Sequence, residues 1–272
     1  MTIVQAIILG IVQGLTEFLP VSSSAHLVLV PALLGWQIPA DFNFIFDVIV
    51  QMGTLVAVIV YFFRDLINIL TAFFKGLWTR TPFNDPQSRL GWFVILATIP
   101  AGIIGLLIKP LVESAFSSPT ATALMLVVTA VILFVAERIG KQRREISTLT
   151  WVDALWIGLG QAVAIFPGIS RSGATISAGL VRDLKREGAA RFSFLMSIPI
   201  MVASGLLEVK DFLGMPDLAG YLPALITGVI VAAIVGYLAI RWLLGYLTKH
   251  SLYVFSIYCL IAAAISLIIL NV

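Results

Sequence analysis

Between Gln13 and His26 the chain reads QGLTEFLPVSSSAH, which sets an amide, a carboxylate, three consecutive serines and an imidazole among residues that are otherwise nearly all apolar. Gln13 and Glu17 are four apart, so on a helix they share one face. Ser22, Ser23 and His26 have the same relation on a helix after Pro20, with Ser24 between them. A carboxylate at membrane depth is costly and marks a functional candidate by default. The bland alternatives are a Glu17 wetted by lipid headgroups and a His26 that is hydrogen-bonded within a helical bundle.

A second polar cluster, FPGISRSGATISAG, runs from Phe166 to Gly179. It places Ser170, Arg171, Ser172 and Thr175 at a helix start. The first turn of a helix carries unpaired N–H groups and a partial positive charge, an anion site before any side chain is added. Arg171 adds a planar fork suited to phosphate oxygens, and Gly168 and Gly173 let backbone or ligand come close. The bland reading makes Ser170 an N-cap and lets Arg171 do no more than pair with a carboxylate such as Glu17. Together the two clusters hold an anion cradle, an arginine, a carboxylate, a histidine and several hydroxyls, an inventory suited to phosphoryl chemistry.

The elements that must position these groups are helices in a bilayer. The 272 residues are 60% hydrophobic and 11% charged, where a soluble domain has about 25% charged residues. Six apolar stretches approach or reach the length needed to cross the hydrocarbon core: Phe42–Phe63, Leu90–Ile108, Thr120–Ala136, Ala189–Leu207, Tyr221–Ala239 and Leu252–Leu270. Two more, Met1–Trp36 and Trp151–Val181, are interrupted by Pro20 and by Pro167-Gly168. Proline breaks a helix, so each of these is expected to be a re-entrant hairpin with its polar cluster at the tip.

The fold expected is an all-α polytopic membrane protein with six transmembrane helices and two broken re-entrant hairpins. Hairpin and three spans, then hairpin and three spans, puts an odd number of crossings in each half. The halves, about 1–140 and 150–272 of a single integral membrane domain, then form an inverted-topology repeat, and PVSSS answers PGISRS across it.

Charge placement orients this layout. Of the 17 Lys and Arg residues, all but Lys109, Lys210 and Arg171 fall in loops on one face, which the positive-inside rule assigns to the cytoplasm. Both termini then face outward. The basic balance reports orientation rather than nucleic-acid binding. No Lys or Arg precedes Arg64, so the first segment lacks the basic flank of a cleaved signal and is expected to remain. The single Cys259 leaves no intramolecular disulfide and no cysteine zinc site.

QGLTEFLPVSSSAHL and PGISRSGATIS resemble the two signature motifs of the undecaprenyl-diphosphatase family, the bacitracin-resistance phosphatases of bacterial inner membranes, and the similarity extends over essentially the whole chain. The resemblance implies removal of one phosphate from undecaprenyl diphosphate, giving the monophosphate that recycles as carrier lipid for peptidoglycan and other envelope polymers. It further implies Glu17, Ser23, His26 and Arg171 as catalytic residues, with Gln13, Ser22, Ser24, Ser170, Ser172, Gly173 and Thr175 binding substrate. A divalent cation, magnesium or calcium, is implied as well, with Glu17 as its ligand. Gln13 stands where many relatives have glutamate, and Ser24-Ala25 replaces a usual Thr-Gly. A pair of ligating carboxylates cannot then be assumed, and a metal bridged by substrate phosphates fits better. The expected partners are the polyprenyl lipid and the bilayer, with a homodimer left open and nucleic acid not expected. Covalent attack by Ser23 and attack by an activated water both remain open. The rival reading is a transporter or flippase for an anionic lipid or solute, because inverted repeats with broken helices also build transporters.

Overall fold

The computed structural model describes residues 1–38, 40–108, 118–214 and 218–270, with backbone alone at 40–44 and 209–211. Among these the chain is helical, apart from one isolated bridge between Arg144 and Leu184. In order the helices are α1 (Ile3–Phe18), α2 (Ser23–Leu33), α3 (Ala40–Tyr61), α4 (Phe63–Trp78), α5 (Pro86–Leu107), α6 (Pro119–Ile139), α7 (Trp151–Val163), α8 (Arg171–Val181), α9 (Arg186–Leu213), α10 (Leu218–Leu247) and α11 (Tyr253–Leu270).

Local chemistry sets the ends. Thr2 with Gln5 and Thr150 with Asp153 form capping boxes at the starts of α1 and α7, each satisfying two of the N–H groups a helix leaves unpaired. α1 stops at Phe18, two residues before Pro20, and α7 stops at Val163, ahead of Pro167. Ser22 and Ser170 then cap α2 and α8 by accepting from the Ala25 and Gly173 N–H groups. Both interrupted stretches are therefore two short helices joined at a polar tip, as the prolines require.

α5, α6, α9, α10 and α11 are long and apolar enough to cross a bilayer. The first expected span differs. α3 is bent by 75° from a further helix, α4, which carries Arg64, Asp65 and Lys75 and falls outside the six apolar stretches. Phe63, Ile67, Leu70, Phe74 and Leu77 recur at spacings of three and four, and all are exposed. This is the pattern of a helix lying in the interface with its apolar face in lipid. The long lipid-facing sides of α5, α10 and α11 are likewise covered by exposed isoleucine and leucine.

The two halves pack reciprocally. The entering leg of the first hairpin, α1, lies on α10, the middle span of the second half; the entering leg of the second, α7, lies on α5, the middle span of the first. Both contacts depend on glycine. A Cβ at Gly14 would stand 2.7 Å from Val235 Cβ, and one at Gly158 would stand 2.5 Å from the Ala97 carbonyl oxygen. Close backbone approach of this kind is how helices associate where lipid offers no hydrophobic gain.

Ion pairs gather the basic loops on one side. Arg191 binds Asp65 at 3.1 Å, Arg186 pairs with Glu137, and Glu137 also accepts the Leu252 N–H at 3.0 Å. Arg144 and Arg182 converge on the buried Asp153 at 2.7 and 2.6 Å and close the base of the second hairpin. That bond to Asp153 raises the Arg144 pKa above its ordinary value. Starts and ends of α3, α4, α6, α7, α9 and α11 thus share one face, as the charge distribution requires. Lys109 and the Lys210 side chain, the expected residues of the opposite face, lie outside the described residues.

Candidate active site

The two hairpin tips touch each other. Ser172 Oγ donates to the Leu19 carbonyl at 3.0 Å, and the Gly168 N–H donates to Ser24 Oγ at 3.4 Å. A Cβ on Gly173 would meet Pro20 Cβ at 3.6 Å. Two helix N-termini, those of α2 and α8, are therefore brought together from opposite hairpins. Their third N–H groups are taken by the Ser22 and Ser170 side chains. Among the described residues the Ser23, Ser24, Arg171 and Ser172 N–H groups donate to no protein acceptor, leaving four donors at one junction.

Glu17 is the hub. Its Oε2 accepts from Gln13 Nε2 at 2.8 Å and from Ser23 Oγ at 2.6 Å; its Oε1 accepts from an Arg171 terminal nitrogen at 2.5 Å and from Gln51 Nε2 at 3.4 Å. The pairing that the bland reading gives Arg171 is thus present. Only Nη2 of the guanidinium is so engaged, and it also faces Met201 Sδ at 3.4 Å. Nη1 and Nε donate to none of the described residues, so the N–H groups of Nη1 remain for a ligand at the outer end of the guanidinium.

The other expected residues fall into two groups. Ser22, Ser24, Ser170, Ser172, Gly173 and Thr175 lie at the tips but build them: Ser22 and Ser170 as caps, Ser24 and Ser172 as bridges, and Thr175 through Ser193 Oγ at 2.6 Å. His26 is close in sequence to Glu17 yet does not meet it. Its Nδ1 donates to the Ser22 carbonyl at 2.7 Å, and in the neutral ring Nε2 accepts from the Tyr258 hydroxyl at 2.7 Å. Cys259, next in the chain, is buried with its thiol 3.9 Å from the Pro20 carbonyl, a packing role.

Sequence reasoning passes over the α3 face opposite Glu17. Asp47, Gln51 and Thr54 recur there at spacings of four and three, which puts them on one stripe. Thr54 Oγ1 accepts from Gln13 at 3.2 Å, and Asp47 and Gln51 line a cavity of about 100 Å³ with Gln13, Glu17, Ser23, Ser24 and Leu27. The signal was present as polar residues inside an apolar run. Thr129 on α6 was also missed; it braces the second tip by donating to the Gly168 carbonyl and accepting from the Ser170 N–H, both at 2.9 Å.

That brace requires glycine at 168. Its φ is +97°, and a Cβ there would stand 2.5 Å from Met125 Cβ and run into the Thr122 carbonyl oxygen. Gly168→Ala is expected to cost about 1–2 kcal/mol for the backbone conformation and about 1–3 kcal/mol for overpacking. Gly35, with φ +62° and nothing near its Cβ position, is the control that carries the conformational cost alone. Thermal unfolding in detergent should show a clearly larger fall in midpoint for Gly168→Ala than for Gly35→Ala.

The oxygen-rich wall suits a hard divalent cation. Among the described residues no group of three His, Cys, Asp or Glu side chains is placed to make a protein-only cage, so water and substrate oxygens would have to supply most of the ligands.

The profile of the family described as "Bacitracin resistance protein BacA" matches residues 6–265. The chain is 42% identical to a protein of Myxococcus xanthus named undecaprenyl-diphosphatase, over all of this chain and 90% of that one. It is 45% identical to the protein of the same name from Prosthecochloris aestuarii, over 95% of this chain and 93% of the relative. The corresponding protein of Moorella thermoacetica is 44% identical over 97% of both chains. The broken hairpins, their touching tips and a match over nearly the full length lead to one conclusion: the chain belongs to the BacA family of bacitracin resistance proteins.

Proposed function

We propose that this multi-pass membrane protein hydrolyses undecaprenyl diphosphate to undecaprenyl phosphate and inorganic phosphate. The observation that carries the reading is the junction of the two hairpin tips, where four free N–H groups and the unspent Nη1 of Arg171 stand beside a carboxylate hydrogen-bonded to a serine hydroxyl. Full-length relatives named undecaprenyl-diphosphatase supply the substrate.

In this reading the terminal phosphate lies at the two helix starts, and the isoprenoid tail stays in lipid. Arg171 donates to the phosphate through the N–H groups of Nη1 while its Nη2 stays on Glu17. Glu17, 2.6 Å from Ser23 Oγ, takes the proton of the attacking oxygen. Where that oxygen is Ser23 Oγ, a phosphoserine forms, undecaprenyl phosphate leaves, and water then releases inorganic phosphate. Where it is a water, the same Glu17 takes its proton and phosphate is released in one step. His26, with one ring nitrogen on the Ser22 carbonyl and the other on the Tyr258 hydroxyl, shapes the first tip, and the proton that Glu17 takes from the attacking oxygen passes to the departing one. A divalent cation, magnesium or calcium, would be held by the oxygen-bearing side chains of the cavity wall and would neutralise charge on the diphosphate. Most of the acceleration comes from positioning and charge stabilisation.

Release of inorganic phosphate from undecaprenyl diphosphate by the purified protein in detergent tests the reading. A transporter or flippase, which needs two compartments, predicts none.

The basic face is assigned to the cytoplasm and both termini to the outside of a bacterial inner membrane, with two inverted halves each opened by a hairpin. The reciprocal packing of α1 on α10 and of α7 on α5 supports the repeat. In a Cys259→Ala background, a cysteine at the exposed Asn84 should be protected from an impermeant thiol reagent in intact cells, and one at the exposed Thr120 should react. The opposite labelling pattern would reverse the orientation.

A further inference from the structure

The divalent cation expected of the reaction has been given to Glu17, and the geometry argues against that. A carboxylate has about four acceptor sites, and Glu17 already receives four donors, from Gln13, Ser23, Gln51 and Arg171. A cation on Glu17 would have to displace one of them and would sit against the arginine. Asp47 presents the opposite case. It is on the wall of the same cavity, and its Oδ1 is buried with no hydrogen-bond partner. Buried polar atoms are rarely left so, and an unpaired buried carboxylate oxygen is among the most costly.

The neighbouring amides complete the contrast. Gln13 and Gln51 spend their NH₂ groups on Glu17. Since a carboxylate only accepts, the amide nitrogens must face it and the two carbonyl oxygens are left over. Three oxygens without a protein partner, one of a carboxyl group and two of amides, therefore belong to residues that line one small cavity beside the two helix starts. Hard, oxygen-only and incomplete, the set fits a cation that keeps waters and takes its remaining ligands from phosphate.

We propose that Asp47, with the side-chain oxygens of Gln13 and Gln51, is the protein's anchor for the divalent cation, and that Glu17 is reserved for Ser23 and Arg171. The proposal rests on the diphosphatase reading for the phosphate that completes the shell. It divides the two buried acids by task, one holding the cation and the other taking the proton.

Manganese binding separates them. Free Mn²⁺ is followed by electron paramagnetic resonance while it is titrated into the full-length protein in detergent, with and without inorganic pyrophosphate, and thermal unfolding is recorded on the same samples. The wild type should bind Mn²⁺ and gain thermal stability from it. Asp47→Asn keeps shape and loses charge, and should weaken Mn²⁺ binding by about 100-fold or more, since even a partner one shell out is worth about 10- to 100-fold. Glu17→Gln, which disturbs the two amides but leaves Asp47, should weaken Mn²⁺ binding by less than about tenfold while losing phosphate release, a difference of less than about 1.4 kcal/mol. Asp47→Glu, which restores the charge on a longer arm, should recover part of the binding and serves if the asparagine variant proves unstable. Unchanged Mn²⁺ binding in Asp47→Asn, or loss of binding in Glu17→Gln with Asp47→Asn normal, overturns the assignment, as does a wild type that binds no Mn²⁺ even with pyrophosphate. Failure of the wild type to release phosphate from undecaprenyl diphosphate defeats the diphosphatase reading instead, and the metal titration does not depend on that assay.

Discussion

Arg171→Ala should lower kcat/KM for phosphate release by about 100-fold or more, and Arg171→Lys by at least about tenfold. Each charge-assisted hydrogen bond contributes about 1.5–3 kcal/mol, and tenfold in rate is about 1.36 kcal/mol. Two bonds, from the two N–H groups of Nη1, are at stake in the alanine variant. Lysine keeps the charge that pairs with Glu17 but is a single compact donor centre without the planar fork. The bland reading, in which Arg171 only neutralises Glu17, has the 2.5 Å ion pair in its favour and makes a different forecast. It leaves the lysine variant nearly silent and lets Glu17→Gln rescue Arg171→Ala. If the guanidinium grips phosphate, the double variant stays inactive because the phosphate-facing N–H groups are lost in both backgrounds. Phosphate release from monodisperse preparations decides between them, and near-normal turnover with lysine or recovery in the double variant removes Arg171 from the phosphate.

The breaks could be read from sequence because proline acts locally: Pro20 and Pro167 end α1 and α7 whatever surrounds them, and the serines that follow are natural caps. The closeness of the two tips was also legible, since helix starts that open two inverted halves are expected to face each other. What escaped was information carried by one helix face or by long-range partners. α4 alternates charge with large apolar residues, so it scores as neither a span nor a clean loop until its exposed Phe63, Leu70 and Phe74 are seen on one side. Asp47, Gln51 and Thr54 vanish into the apolar average of α3, although three polar residues at helical spacing are a stripe. Tyr258 lies 232 positions from His26. Nothing local in either segment announces that the two rings stack with centroids 5.6 Å apart, and with that contact His26 turns away from Glu17.

Glu17→Gln should lower phosphate release by about 10²–10⁴-fold, the range general-base catalysis supplies. The substitution keeps the length of the side chain and inverts part of its hydrogen-bonding character. Four donors converge on the native carboxylate. A glutamine offers them one carbonyl oxygen and confronts the rest with its own NH₂, so the Ser23 hydroxyl loses either its acceptor or its orientation. Arg171 also loses its counter-charge. Breaking a buried ion pair costs about 3–5 kcal/mol, and the Arg171 side chain, 18% exposed, is not fully enclosed, which places the expected destabilisation toward the lower end. The protein should therefore fold, bind cation and fail in chemistry. Glu17→Asp separates charge from reach: it preserves a counter-ion for Arg171 but withdraws the carboxylate from Ser23, now 2.6 Å away, by about one bond length. Stability should return toward wild type in the aspartate variant while turnover stays low. If turnover followed stability across the two variants, Glu17 would be a structural counter-ion and the proton acceptor would have to be sought elsewhere at the junction.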